Sequence, residues 1–381
     1  MIVNYKYRLY PDQDQEQESK LDQQFFVANQ AWNHALSIRI EEIKEKNGFI
    51  NFNDLYKNVM QDLLERKIKA NSGIVQQTLR NFESTLKYYF RNKDSKGFPK
   101  FKVSSLWEQS FEFKNQGIHI TENYFKILKM KINWKYHREL PSRPKKVVIK
   151  RESDGKYYVI FSVEVEKEEL PKTKVDCAID MNIDNIAIAE STGKAYLKTI
   201  IKLEKYNEKY KKLQKKLSKR YAKGKKGKNT KKLQKKQNKI HKKVRNVKEN
   251  FFHNFSKFLV ENFDSIRAEK LEKKDMKENA PSRKLRRSIA EVSWNSLIQK
   301  LKYKTERYGK VFEEINPAYT SQRCNRCGYI SQKNRTSQSI FHCKKCGHRD
   351  NADCNAARNI LDYDSWKEVQ VILWERRGVR N

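Results

Sequence analysis

Three things are scarce in this 381-residue sequence: long apolar runs, acidic residues and cysteines. No apolar run reaches the ~18 residues that a membrane span needs, and we recognise neither a signal peptide nor a lipidation signal, so we expect no membrane association. The acids number 46 against 83 Lys and Arg, which leaves a formal net charge of +37. A chain this cationic repels itself unless it meets a polyanion, and we expect that partner to be nucleic acid.

The few cysteines have an informative spacing. Four of the six form two CxxC pairs separated by fifteen residues, Cys324, Cys327, Cys343 and Cys346. Two such pairs can close one tetrahedral zinc site, because each pair presents two thiolates from a tight turn. The pattern indicates metal ligation in a reducing, cytoplasmic compartment rather than a disulfide framework. Cys177 and Cys354 lie in apolar runs and are interpreted as buried small hydrophobes.

Apolar periodicity predicts a helical region followed by a β region, and the length favours two or three domains. A strand is predicted at residues 2–9, and the spacing that follows predicts helices over about 13–46, 53–68 and 73–92. Between about 100 and 168 the period changes to two, which is typical of strands. Another strongly β run follows at Val175–Glu190.

Residues 202–248 carry 22 Lys and Arg against two acids, Glu204 and Glu208. Two apolar stripes at helical spacing run through this segment on either side of a Gly/Lys loop, which predicts a helical hairpin with a lysine-covered exterior. A solvated face is the alternative interpretation. The near-absence of acids favours phosphate contact. We expect that contact, to RNA or to DNA, at Lys212, Lys215, Lys232 and Lys235.

Three acids stand out by their context. Asp180 ends an apolar strand-like run, Glu269 ends a second short one, and Asp353 opens the DxNAARNI segment beside the cysteines. An acid at a strand end is usually solvent-facing or caps a turn, so spacing alone does not make these residues metal ligands.

The chain resembles the TnpB (OrfB) family of RNA-guided DNA endonucleases, which insertion sequences encode and which are related to type V CRISPR effectors. The resemblance covers nearly the whole chain and rests on an ordered set of motifs. These are the segments 5–11 (YKYRLYP), 32–33 (WN), 75–77 (VQQ), 97–102 (GFPKFK) and 109–111 (QSF), the lysine-rich hairpin, the segment 320–324 (TSQRC) and DxNAARNI.

This resemblance implies a multidomain α+β fold. A RuvC/RNase H-like α/β nuclease domain would carry an inserted helical hairpin and a zinc ribbon, beside a helical recognition lobe and a small β-barrel (wedge) domain. The implied boundaries are 1–11 and 101–170 for the wedge, 12–100 for the recognition lobe, 171–320 for the nuclease domain with its hairpin at 202–260, 321–348 for the zinc ribbon, 349–363 for the last nuclease segment and 364–381 for a C-terminal tail to which we assign no role.

The resemblance also implies an acidic triad of Asp180, Glu269 and Asp353 that binds two Mg²⁺ ions, one structural Zn²⁺ on the four cysteines, a guide RNA and a double-stranded DNA target. Hard cations favour carboxylate oxygens, which makes the residue types suitable. Gln76, Gln77 and Gln109 are candidates for reading a short motif beside the target, although they could equally solvate the surface. A monomer is favoured.

The sequence departs from the family pattern twice. The family's Gly-Ile-Asp-x-Gly is Ala178-Ile179-Asp180-Met181-Asn182 here; because Asn tolerates the left-handed conformation that a glycine would adopt, the turn can survive this change. The usual Glu-Asp-Leu is Glu269-Lys270-Leu271. Since all three ligands persist, we expect an active nuclease. The alternatives are a compact type V CRISPR effector, a guide-directed DNA-binding regulator without cleavage, and a plain basic RNA-binding protein with a zinc ribbon.

Overall fold

The structure is a computed structural model of the chain. It describes residues 1–45, 48–93, 97–102, 109–114, 117–200, 203–224, 227–271, 278, 281–283, 286 and 294–371. These residues belong to two compact units, Met1–Val165 with Gly224–Lys239, and Glu166–Lys223 with Ile240–Asn381.

The first unit contains three helices, α1 (Gln15–Glu45), α2 (Phe52–Glu65) and α3 (Ser72–Arg91). Asn51 and Asn71 cap α2 and α3. The side-chain oxygen of Asn51 accepts the backbone N–H of Asp54, and that of Asn71 accepts the backbone N–H of Ile74. The apolar faces meet in a core that includes Leu36, Val59 and Phe82. The helical periodicity in the sequence therefore predicted all three elements to within a few residues.

A seven-stranded antiparallel sheet completes the first unit. Its strands are β1 (Ile2–Leu9), β2 (Gln109–Lys114), β3 (His119–Ile120), β4 (Tyr124–Ile127), β5 (Met130–Lys135), β6 (Lys146–Arg151) and β7 (Tyr157–Glu164). The order is β2-β6-β7-β1-β5-β4-β3, so the first strand of the chain lies between β7 and β5. Among the described residues the pairing is that of an open sheet, and closure into a barrel stays a prediction.

The second unit is built on a five-stranded sheet of order β10-β9-β8-β11-β12. Its strands are β8 (Cys177–Met181), β9 (Asn185–Glu190), β10 (Ala195–Thr199), β11 (Ser265–Glu269) and β12 (Val311–Ile315). The first three pair antiparallel, whereas β8, β11 and β12 are parallel.

Helices cover both faces of this sheet. Neighbouring residues of a strand point to opposite faces, so the contacts of three successive residues of β8 show what covers each face. Cys177 and Ile179 pack with residues of helices α5 (Lys228–Asn262) and α6 (Trp294–Tyr308). Ala178, between them, packs with Ile360 of helix α7 (Ala352–Leu361). Cys177 and Cys354 are both buried, which confirms the interpretation of these thiols as core residues.

The lysine-rich segment forms two helices, α4 (Glu204–Ala222) and α5, as the two apolar stripes predicted. Tyr206 lies under the Lys243 ammonium at 5.1 Å from the ring centroid, which links the two helices. The first turns of α5 belong to the first unit, where Asn238 donates a hydrogen bond of 3.1 Å to the Ser153 carbonyl. The hairpin boundary 202–260 therefore does not coincide with a boundary between the units.

The four clustered cysteines lie in a small subdomain between β12 and α7, with a hairpin of strands β13 (Ile340–His342) and β14 (Arg349–Asn351). Within the described part of the chain, no helix combines the length and the apolar character needed to cross a bilayer.

Candidate active site

Asp180 and Glu269 lie at the same edge of the second sheet. Glu269 is the last residue of β11 and Asp180 is the last but one of the neighbouring parallel strand β8; the paired register of the two strands runs up to Ile179 opposite Ala268. Each acid is the next residue along its strand. Because parallel strands present their carboxyl ends at one edge, the two side chains are neighbours.

Helix α7 brings the third acid to this edge. Asp353 is in the first turn of α7, where the Asn351 side chain caps the backbone N–H groups of Asp353 and Cys354 at 3.0 and 3.1 Å. The helix N-terminus favours a negative charge at this position. Since α7 packs on β8 and β9, Asp353 interacts electrostatically with Asp180. The structure thus brings the three acids of the predicted triad together.

Burial makes this cluster unusual. Asp180 is 9% exposed and Asp353 is 6% exposed. Burial, followed by repulsion from Asp353, raises the pKa of Asp180 to about 7. Burial and then repulsion from Asp180 raise the pKa of Glu269 to about 8. Carboxylates with this little water and this much mutual repulsion gain from a cation placed between them.

One cation of the chain already lies in the site. Arg335 donates from Nη2 to Asp353 Oδ1 at 3.2 Å and to the Gln338 carbonyl at 2.7 Å. Burial raises the pKa of Asp353, and the charge of Arg335 offsets part of that rise. Sequence reasoning missed Arg335, because nothing in the segment between the cysteine pairs distinguishes this arginine from its basic neighbours.

Each acid has a hydrogen-bond donor of its own. Asn182 Nδ2 donates to Asp180 Oδ2 at 3.3 Å, and Thr320 Oγ1 donates to Glu269 Oε1. The turn after Asp180 survives the replacement of the family's glycine, and it does so without the left-handed conformation, since Asn182 is not among the described residues with positive φ. Its N–H bonds to the Asn185 carbonyl at 3.0 Å, so the turn forms with an ordinary φ and leaves the side chain directed at Asp180.

The donor set suits hard divalent cations, which take carboxylate oxygens. Within the described ranges, only the cysteines bring three or more ligand atoms within 4.8 Å of one another, so the three carboxylates are more widely spaced than the thiolates.

The cysteines meet the requirements of a zinc site. The Sγ atoms of Cys324 and Cys346 are 3.8 Å apart, and those of Cys327 and Cys343 are 3.6 Å apart. Four thiolates at ~2.3 Å from a tetrahedral zinc lie about 3.8 Å from each other. None of the four is in a disulfide.

The two cysteine turns have the same backbone design. In each, a glycine with φ near +70° follows the second cysteine, and its N–H bonds to the carbonyl of the first, Gly328 to Cys324 at 2.9 Å and Gly347 to Cys343 at 3.1 Å. This φ favours glycine, which explains the shared sequence CxxCG. The predicted zinc cluster is therefore present as a geometric arrangement.

Two buried asparagines of α7 attach the helix to the first cysteine turn. Asn355 accepts the Asn325 N–H at 3.1 Å and donates to the Arg323 carbonyl at 2.8 Å. Asn359 donates to the carbonyls of Thr320 and Arg323. Both side chains are fully buried. The adjacency of the cysteines and DxNAARNI therefore has a physical reason, because the turn and the helix that carries Asp353 are hydrogen-bonded together.

The residues expected to bind nucleic acid are dispersed. Lys212, Lys215, Lys232 and Lys235 are all exposed on α4 and α5. Gln77 donates to Asn81 at 3.3 Å, and Gln109 accepts from Arg151 at 2.6 Å, so both amides have protein partners. Gln76 is partly buried on α3. Their contact with nucleic acid stays a prediction.

Comparisons with known proteins locate three family matches along the chain. Residues 1–48 match a family described as "Helix-turn-helix domain", residues 160–280 match OrfB_IS605, described as "Probable transposase", and residues 294–360 match the "Cas12f1-like, TNB domain". In this structure the first of these segments contains β1, a short 3₁₀ turn and the single long helix α1.

Relatives and solved structures agree with these matches. The chain is 28% identical over 303 residues to the "Putative RNA-guided DNA endonuclease InsQ" of Escherichia coli K12, which covers 75% of this chain and 73% of that protein. It is 49% identical over 74 residues to Cas12f1 of Sulfoacidibacillus thermotolerans, which covers 19% of this chain and 18% of that protein. A Cas12f1-sgRNA-target DNA complex shares the fold, with a TM-score of 0.59 at 16% identity over 91% of this chain and 82% of that one.

Proposed function

The chain belongs to the TnpB (OrfB) family, and from this premise we propose that it is an RNA-guided, Mg²⁺-dependent endonuclease that cuts double-stranded DNA and is encoded by an insertion sequence. The observation that carries the proposal is the convergence of Asp180, Glu269 and Asp353 from distant parts of the chain at one edge of the second sheet, where Asp180 and Asp353 are buried and Glu269 is partly buried. A basic RNA-binding protein does not need this cluster for its function, and the mutual repulsion of the acids destabilises the fold.

In this proposal the second unit is a RuvC-like nuclease domain. Its three antiparallel strands followed by two parallel ones, with helices on both faces, suit the RNase H-like fold that the resemblance implies. Asp180, Glu269 and Asp353 would hold the Mg²⁺ ions. When bound, such ions would supply Lewis acidity to the phosphodiester and lower the pKa of the attacking water.

The side chains around the acids orient the carboxylates. Asn182, Thr320 and Arg335 each donate a hydrogen bond to one carboxylate, which fixes the direction in which its oxygens point. The four cysteines would hold a structural zinc, and Asn355 on α7 bonds to the first cysteine turn. The cysteine site would therefore contribute to the reaction through the placement of Asp353.

Nucleic-acid binding follows from charge. Residues 202–248 carry most of the excess positive charge, and Lys212, Lys215, Lys232 and Lys235 are exposed on the two helices of this segment, which fits contact with guide RNA or with the target backbone. Base pairing between guide and target would carry sequence specificity, and the protein would read only a short motif beside the target. We assign the motif-reading role to Gln76, Gln77 and Gln109 as a proposal.

The test is cleavage by the protein purified with its bound RNA from cells that carry the native locus. We expect Mg²⁺-dependent cutting of a DNA that matches the bound guide. Asp180→Ala should abolish cutting and leave target binding intact, whereas Asp176→Ala, an exposed acid four residues earlier, should cut normally. Undiminished cutting by Asp180→Ala would refute the triad, and no guide-dependent cutting by the wild type would refute the function.

A compact type V CRISPR effector is the second candidate, and the 49% identity of a 74-residue segment to Cas12f1 favours it. The longer match to InsQ, over 75% of the chain, favours the insertion-sequence protein. Sequencing the bound RNA separates the two, because its source is either a transposon end or a repeat array.

A further inference from the structure

We propose that Thr320 is a positioning residue for the Glu269 carboxylate, and that residues 363–371, here called the C-terminal latch, hold Thr320 in place. The inference rests on the proposed function, since it gives Glu269 the role of a metal ligand. It assigns a role to the C-terminal tail, for which the sequence suggested none. The latch follows the segment 294–360 that matches the Cas12f1-like, TNB domain, and lies outside that match.

Thr320 is fixed at both its side chain and its backbone. Its hydroxyl is directed at Glu269 Oε1 and also lies 2.9 Å from the Pro317 carbonyl. Its own carbonyl accepts a bond of 2.9 Å from the buried Asn359 side chain. The residue is 2% exposed, so water does not replace these contacts. The hydroxyl therefore holds one oxygen of Glu269 in a set direction.

The loop that carries Thr320 takes its shape from the latch. Residues 316–319 connect the end of β12 to Thr320, and Tyr319 has a φ of +65°, which a non-glycine residue adopts only when its surroundings hold it there. Gln370, 1% exposed, donates to the carbonyls of Asn316, at 3.1 Å, and Ala318. Its side-chain oxygen accepts a bond of 3.0 Å from the Tyr363 hydroxyl.

Two further contacts attach the latch to the elements that carry the acids. Trp366, 3% exposed, donates from its indole to the Asn359 carbonyl at 2.9 Å. Arg267, on β11 two residues before Glu269, pairs with Asp364 and donates to the Leu361 carbonyl at 2.8 Å. The latch is thus bonded to β11, to α7 and to the loop between β12 and the zinc site.

In this arrangement the latch contacts the loop that carries Thr320, and Thr320 contacts the proposed ligand Glu269. Partners that orient a metal ligand without touching the metal typically contribute ~10- to 100-fold to metal affinity or activity. Thr320 provides that contact for Glu269, and the latch determines where Thr320 lies. The latch residues act on Glu269 only through Thr320, and they lie outside the motifs on which the resemblance rests.

The first experiment compares Thr320→Val, which keeps the side-chain shape and removes the donor, with Thr320→Ser, which keeps the donor. Binding of Mn²⁺ to the protein–RNA complex is measured by the loss of the free-ion electron paramagnetic resonance signal, and DNA cleavage is measured against Mg²⁺ concentration. For Val we expect Mn²⁺ affinity at the acidic site and cleavage to fall about 10-fold or more. Ser should stay within about twofold of the wild type.

The second experiment tests the latch with Gln370→Leu, a change of similar volume, against Glu368→Ala at an exposed latch position. We expect Gln370→Leu to weaken Mn²⁺ binding in the same direction as Thr320→Val, with guide-RNA binding unchanged. A lower melting temperature with unchanged Mn²⁺ affinity would reduce the latch to a structural role and overturn the proposal. So would a Thr320→Val variant that binds Mn²⁺ like the wild type. If the wild type shows no guide-dependent cutting while the Mn²⁺ results hold, the proposed function fails and the positioning role stands.

Discussion

Replacing Asp180 with asparagine should stabilise the protein when no divalent cation is present at the acidic cluster. The pKa of Asp180 is raised to about 7, chiefly by burial and then by Asp353. The folded state therefore binds this proton more tightly than the unfolded state does, and stability falls as the pH rises from about 4 to about 7. Asparagine keeps the shape and the acceptor oxygen for Asn182 and removes the charge.

The magnitude follows from the shift. The pKa of Asp180 rises from 3.8 to about 7. Each pKa unit corresponds to about 1.4 kcal/mol, which gives an upper bound of ~4 kcal/mol at pH 8. Less than half of this stability loss has already occurred at pH 5. At ~2–4 °C per kcal/mol for a unit of about 200 residues, realising half of the bound raises the melting temperature by ~4–8 °C at pH 8.

The assay is thermal unfolding of zinc-loaded protein at pH 5 and pH 8, in buffer without added Mg²⁺ and without chelator, so that the cysteine site keeps its metal. The stabilisation by Asp180→Asn should be larger at pH 8 than at pH 5. Added Mg²⁺ should then raise the melting temperature of the wild type more than that of the variant. Asp176→Asn, an exposed position just before the same strand, should show no such pattern. A variant no more stable than the wild type at pH 8, or a gain independent of pH, would refute this account of the cluster.

Two more predictions concern the four-cysteine site and the lysine-rich hairpin. Replacing Cys324 and Cys343 with serine should release about one zinc per chain and lower the melting temperature, whereas Cys354→Ala should keep the zinc. Elemental analysis measures the zinc content, and wild-type protein without zinc would contradict the assignment. Changing Lys212, Lys215, Lys232 and Lys235 to glutamine should reduce the slope of log affinity for RNA against log salt by up to about 3, and an unchanged slope would remove the hairpin from the interface.

Much of the fold was predictable because its signals are local. Apolar residues at helical spacing indicated α1, α2, α3 and both helices of the lysine hairpin, and alternation indicated β1 and the β region between about 100 and 168, but β10, β13 and β14 were not predicted. The cysteine turns were predictable for the same reason, since ligand spacing and the following glycine lie within five residues. The division of α5 between the two units was not predictable, because a periodic pattern does not say which other elements a helix packs against.

The sequence by itself was enough to single out the three acids and the four cysteines as candidate metal ligands and to show the resemblance to the TnpB (OrfB) family, because these depend on residue type and order along the chain. Only the tertiary structure decided what surrounds the acids. Arg335 reaches Asp353, Thr320 reaches Glu269 and Gln370 shapes the loop between them, through contacts that join residues far apart in sequence. The raised pKa values of Asp180 and Glu269 arise in the same way, since burial and mutual repulsion exist only once the strands and α7 have packed together.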